Sequence, residues 1–192
     1  MKFVSIDLET TGLDPETCDI LEFGAVLDDL KNQRPIKMLP TFHCYFYQPT
    51  YKGEPYALSM HGKIFERIAC KEKGYDYYAP TKFGMAFKRF LIQNGYSCED
   101  DVITINVAGK NFGAFDLQFL NRQTDLKKHV KISHKFLDPA ILFIDRDDNR
   151  LPGLSDCKKR AGMSDHVAHT AVADAMDVVQ LIREGLLSKF PS

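Results

Sequence analysis

Phe3-Val4-Ser5-Ile6-Asp7-Leu8-Glu9-Thr10-Thr11-Gly12 is the stretch on which the fold turns. Side chains alternate across a strand, so Phe3, Ser5, Asp7 and Glu9 share one face, and Val4, Ile6 and Leu8 share the other. That alternation predicts a strand over residues 2–9. Thr10-Thr11-Gly12, then Asp14-Pro15, supply the turn that ends it. Two carboxylates at i and i+2 project to the same side of a strand. They repel each other unless a cation lies between them or one takes up a proton. Carboxylate oxygens are hard donors of the kind that suit Mg²⁺ or Mn²⁺. A bare Asp-x-Glu also arises from unrelated acids on a solvated strand. The Thr-Thr-Gly that follows at the end of a first strand sets this one apart.

Working outward, residues 20–27 and 41–47 read as two further strands that complete a meander with the first. Residues 48–80 are mixed and aromatic, with several Gly and Pro, and predict short helices. Phe83, Phe87, Phe90 and Leu91 recur at helical spacing over residues 81–93, and Asn94-Gly95 is a fitting stop. A strand is expected at 102–107, a helix at 116–124, a strand at 134–137 and a short helix at 154–161. Val172, Met176, Val179, Ile182 and Leu186 predict the buried stripe of a last helix over 170–187. This order predicts an α/β domain with a mixed five-stranded sheet flanked by helices. With 192 residues, no repeat and no linker, one domain over 1–192 is expected.

The composition, 44% hydrophobic and 27% charged, is that of an ordinary soluble protein, and no apolar run approaches a membrane span. The N-terminus carries charge too early for a signal peptide. Cys18, Cys44, Cys70, Cys98 and Cys157 are scattered and form no Cys-x-x-Cys pair, which favours reduced thiols and a cytoplasmic location over a disulfide frame or structural zinc. A net charge of −1 excludes a basic nucleic-acid coat but not a nucleic-acid substrate, because a cluster of acids masks local basic patches.

Three motifs in order give the chain a family likeness. Asp7-Leu8-Glu9-Thr10-Thr11-Gly12 is the first. Gly109-Lys110-Asn111-Phe112-Gly113-Ala114-Phe115-Asp116-Leu117-Gln118-Phe119-Leu120 is the second, and His169-Thr170-Ala171-Val172-Ala173-Asp174 the third. On its own, Asp116 also reads as an acid favouring a helix N-terminus. Together the motifs resemble the DEDD superfamily of 3′→5′ exonucleases, in its histidine (DEDDh) branch. That family has a ribonuclease H-like fold and includes polymerase proofreading subunits, ribonuclease T and oligoribonuclease. Many relatives place Asn four residues before the second-motif Asp; here Asn111 stands five before Asp116, a form closer to oligoribonuclease.

The resemblance implies a ribonuclease H-like domain with two Mg²⁺ or Mn²⁺ ions per active site, held by Asp7, Glu9, Asp116 and Asp174. His169 would be the general base, and nucleoside 5′-monophosphates would leave from the 3′ end of single-stranded DNA or RNA. His166 and Asp177 lie nearby as decoys, and the family spacing selects His169 and Asp174 over them. It also implies that Leu8, Thr10 and Thr11 hold the terminal nucleotide. In Ala57-Leu58-Ser59-Met60-His61-Gly62, Met60 and His61 would line the pocket for its base, with Asn111 as a further contact. Ordinary packing remains an open alternative for these residues. Lys110, Lys127-Lys128-His129-Val130-Lys131 and Lys158-Lys159-Arg160 could track phosphates or be solvated faces. No sequence signal indicates a homodimer or a polymerase partner. The competing expectation is a catalytically silent nucleic-acid-binding or polymerase-accessory module of the same fold, against which the complete acidic set stands.

Overall fold

The computed structural model describes residues 1–164 and 170–189, with side chains to residue 187. Strands β1 (Lys2–Thr10), β2 (Ile20–Asp29) and β3 (Thr41–Phe46) form an antiparallel meander. The β1–β2 turn is fastened by Asp14, whose carboxylate accepts from the Glu16 N–H at 2.9 Å and the Thr17 hydroxyl at 3.0 Å. Two short helices follow, α1 (Pro55–Met60) and α2 (Gly62–Cys70). Then come β4 (Asp76–Tyr78), α3 (Phe83–Gln93) and β5 (Ile103–Ala108). The rest is α4 (Asp116–Leu120), α5 (Thr124–His129), β6 (Val130–Leu137), α6 (Leu154–Arg160) and α7 (Ala171–Lys189). The sheet order is β4-β3-β2-β1-β5-β6, with β5 parallel to β1 and β6 parallel to β5. No helix among the described residues is long and apolar enough to cross a membrane.

The sheet is mixed and flanked by helices, as expected, but it has six strands rather than five. The sixth, β4, is three residues long, too short for alternation to register in sequence, and exists by pairing with β3 through Cys44↔Asp76, Tyr45↔Tyr77 and Phe46↔Tyr78. The helix expected over 116–124 ends at Leu120, and a separate α5 follows it. β6 starts at Val130 rather than 134, so part of the Lys127–Lys131 basic run is edge strand.

The two faces of the sheet have different burdens. Val4, Ile6 and Leu8 of β1 join Phe23, Phe42, Phe83, Phe87 and Leu91 in the larger core. Its rings meet edge-on, Phe23 against Phe83 at 4.7 Å and against Phe87 at 5.1 Å between centroids. On the opposite face, Phe3 and Val26 pack against Ala175, Val178, Val179 and Ile182 of α7. α7 therefore lies across the same face that carries Asp7 and Glu9. Its other half is tied down by Arg183, which donates to both oxygens of buried Asp28 at 2.9 and 2.5 Å and to the Arg34 carbonyl at 2.7 Å.

Candidate active site

Asp7 and Glu9 come from the central strand β1, and Asp174 from the first turn of α7. One carboxylate oxygen from each lies within 4.8 Å of the others. Asp116, the first residue of α4, is buried beside them. Its carboxylate accepts from the backbone N–H groups of Leu8 and of Asp116 itself, which hold its pKa down, yet burial prevails and pushes it up to about 7. Burial foremost, then the charges of Asp116, Asp174, Glu9 and Glu22, raises Asp7 well above the usual carboxylate range. Glu9 is pushed up to about 7 by burial, then by Glu22, Asp174 and Asp116.

Such a cluster cannot ionise fully without a counter-charge. Protons can supply it, or a cation can. Among the described residues the donor set is all carboxylate oxygen, which fits a hard divalent ion. A groove of about 670 Å³ between α4, α5 and β6 contains none of these acids. The chemistry therefore belongs to the open face between β1 and the start of α7.

The remaining expected residues divide. His61 joins α1 to α2, with its Nε2 3.7 Å from Glu9 Oε2. Burial lowers its pKa, against the opposing effects of Glu22 and a backbone hydrogen bond to Thr10. Met60, beside it, is 59% exposed at the end of α1 and free to meet a ligand. Leu8 points the other way: its side chain is in the core with Val4 and Ile6, so only its backbone faces the cleft side. The Thr10 hydroxyl is spent on the Gly12 carbonyl at 2.7 Å. Thr11 is fully buried, donates to the Lys52 carbonyl at 2.5 Å and accepts from the Asp19 N–H at 2.7 Å. The Glu54 N–H returns a bond to the Thr11 carbonyl at 2.8 Å. The Thr10 hydroxyl thus closes the turn after the strand, and Thr11 stitches the acid-bearing strand to the segment that enters α1.

Asn111 is exposed in a left-handed turn at φ 58°, with its N–H donating to Asp138 Oδ2 at 2.9 Å. Asn tolerates that conformation better than most side chains. His169 and His166 lie outside the described residues. Asp177 pairs with buried Lys158 at 2.5 Å. Lys110 lies 3.5 Å from Asp138, and Arg160 is bound to Asp148 and to the Phe143 carbonyl.

Sequence reasoning missed Glu22. It sits opposite Glu9 in the β1–β2 register, is 1% exposed, and contributes to the raised pKa of both Glu9 and Asp7. The available signal was a lone acid in an apolar strand, Ile20-Leu21-Glu22-Phe23-Gly24-Ala25-Val26-Leu27.

No curated protein matches the chain by sequence. Solved structures do match in fold. Exonuclease I from Methylocaldum szegediense superimposes with a TM-score of 0.64 at 16% identity, covering 100% of this chain and 41% of its own. Exonuclease I of E. coli in complex with an oligonucleotide gives 0.62 at 16% identity, covering 99% and 42%. Cell-death related nuclease 4 gives 0.66 at 11% identity, covering 98% and 64%. The chain thus spans about two fifths of the length of the exonuclease I structures. The RNase T family model, described as exonuclease, matches residues 4–182, a span that holds every acid of the cluster. With that match across nearly its whole length, the chain belongs to the RNase T family of exonucleases.

Proposed function

We propose that the chain removes nucleotides one at a time from the 3′ end of a single-stranded nucleic acid, hydrolysing phosphodiester bonds with Mg²⁺ or Mn²⁺. The carrying observation is that oxygens of Asp7, Glu9 and Asp174 converge within 4.8 Å, with Asp116 buried and near enough for its charge to act on Asp7 and Glu9. Such a carboxylate set suits two divalent ions, which when bound lower the pKa of water and stabilise charge on phosphate oxygens. The residues' own work is to remain ionised around those ions and to hold their oxygens in place. β1 does so rigidly, because its side chains alternate on a central strand that pairs with β2 from Lys2 to Thr10 and with β5 at Val4 and Ser5.

His169, five positions before Asp174, is the proposed general base, taking the proton of the attacking water. Its unperturbed pKa near neutrality suits that task. Met60 is exposed next to His61, at the edge of the acid cluster, where an apolar surface can meet a terminal base. The solved E. coli exonuclease I complexes contain an oligonucleotide and single-stranded DNA, which supports a single-stranded substrate here.

The test uses 5′-labelled single-stranded DNA and RNA of matched sequence, with Mg²⁺, Mn²⁺ or EDTA. A ladder that shortens stepwise, and stops in EDTA, is expected. Uncut strands with either ion, or cleavage only at internal positions, would overturn the proposal.

A further inference from the structure

β2 presents Glu22, Gly24, Val26 and Asp28 on the face that α7 crosses, and each makes a different contact. Val26 packs in the apolar cluster with α7, and Asp28 binds Arg183. Gly24 is the register partner of Asp7. A Cβ on Gly24 would lie 2.2 Å from the backbone carbonyl carbon of Ala171, so the start of α7 rests directly on the strand. Two residues earlier, Glu22 reaches the same point. Its Oε1 accepts from the Ala171 N–H at 3.1 Å and from His43 Nε2 at 2.8 Å. Its Oε2 is buried and has no hydrogen-bond partner among the described residues.

Ala171 opens α7, so its N–H is one of the four that no helical carbonyl can satisfy. The Thr170 carbonyl accepts from the Asp174 N–H at 3.0 Å, which makes Asp174 the residue that closes this first turn. A carboxylate at a helix N-terminus is favourable. Placing it fully buried, directly across from Glu9, is not what stability alone would select, because the acids repel.

We propose that Glu22 is a positioning residue: by holding the Ala171 N–H it fixes the first turn of α7 and so sets Asp174 against Asp7 and Glu9. The inference rests on the reading of those acids as a metal site. What matters is the reach of the Glu22 oxygen, more than its charge. Glu22→Gln keeps the reach and loses the charge. Glu22→Asp keeps the charge and withdraws the oxygen by one methylene.

The test measures the Mn²⁺ dissociation constant by electron paramagnetic resonance, alongside the thermal midpoint of each variant without metal. Removing an outer partner of a metal ligand typically weakens binding about 10–100-fold. Glu22→Ala and Glu22→Asp are expected to fall in that range, and Glu22→Gln to recover most of the loss. Asp28→Asn, which loosens the far end of α7, is expected to lower the midpoint while leaving Mn²⁺ affinity near wild type. Glu22→Asp binding Mn²⁺ like wild type overturns the inference. So does Asp28→Asn weakening Mn²⁺ as much as Glu22→Ala, since general loosening of α7 would then suffice. A wild-type chain that binds no Mn²⁺ overturns the metal reading, and this inference with it.

Discussion

Asp7 bears the greatest load of any single residue. Burial and four neighbouring carboxylates raise its pKa, and Glu9 and Asp116 both reach about 7. In the unfolded chain these acids ionise near 4. As pH rises from about 4 towards 7, the unfolded state releases protons that the metal-free fold retains, so metal-free stability falls across that window. The thermal midpoint without metal should therefore be lower at pH 8 than at pH 5, and Mn²⁺ should raise it more at pH 8, where no protons compete for the oxygens. Scanning calorimetry with and without EDTA at both pH values checks this. Asp7→Asn removes the most crowded charge. It should raise the metal-free midpoint at pH 8, abolish the increase caused by Mn²⁺, and cost about a thousandfold in turnover, equivalent to several kcal/mol of lost stabilisation. Asp7, Glu9, Asp116 and Asp174 could be read from the sequence because each stands in a motif with fixed spacing. Glu22 could not, because no local pattern tells which residue of the next strand will face Glu9. The inward roles of Thr10 and Thr11 were hidden for a similar reason: their partners, Gly12, Asp19 and Lys52, are set by the loop path.

Among elements, the contact between β2 and α7 is the tightest that bears on the site. Gly24→Ala would push a methyl group into the backbone of Ala171, and backbone cannot rotate away as a flexible side chain can. Overpacking of this kind costs about 1–3 kcal/mol. Urea denaturation should register that loss, and Mn²⁺ affinity should fall with it, because the first turn of α7 is what must move. On the other face, Phe87 is buried among Phe23, Phe42 and Phe83. Phe87→Ala should cost about 3–5 kcal/mol in the same assay, while leaving Mn²⁺ affinity unchanged in the folded fraction. The helices α3 and α7 and the meander were legible because each repeats its apolar period over several turns or pleats. β4 was not, since three residues carry no period and only pairing with β3 makes them a strand. The break between α4 and α5 was hidden because Asn121-Arg122-Gln123 contains neither Gly nor Pro to mark a stop.

At the level of the whole molecule, β2 acts as a rail that grips α7 at both ends. Glu22 takes the N-terminus and Asp28 takes Arg183. Asp28 is fully enclosed, so Arg183→Ala would leave a buried carboxylate without its partner. Breaking a buried pair from one side costs about 3–5 kcal/mol, and equilibrium unfolding should show it as a lower urea midpoint at unchanged slope. The far reach of the Glu22 grip has a consequence in time. The meander joins neighbours in sequence and can form early, whereas the Ala171 N–H lies 149 positions from the carboxylate that receives it. Refolding should therefore recover strand signal first and the ability to capture Mn²⁺ later, when α7 docks. Under the proposed reading, a chain in that interval would not yet cut a strand it meets.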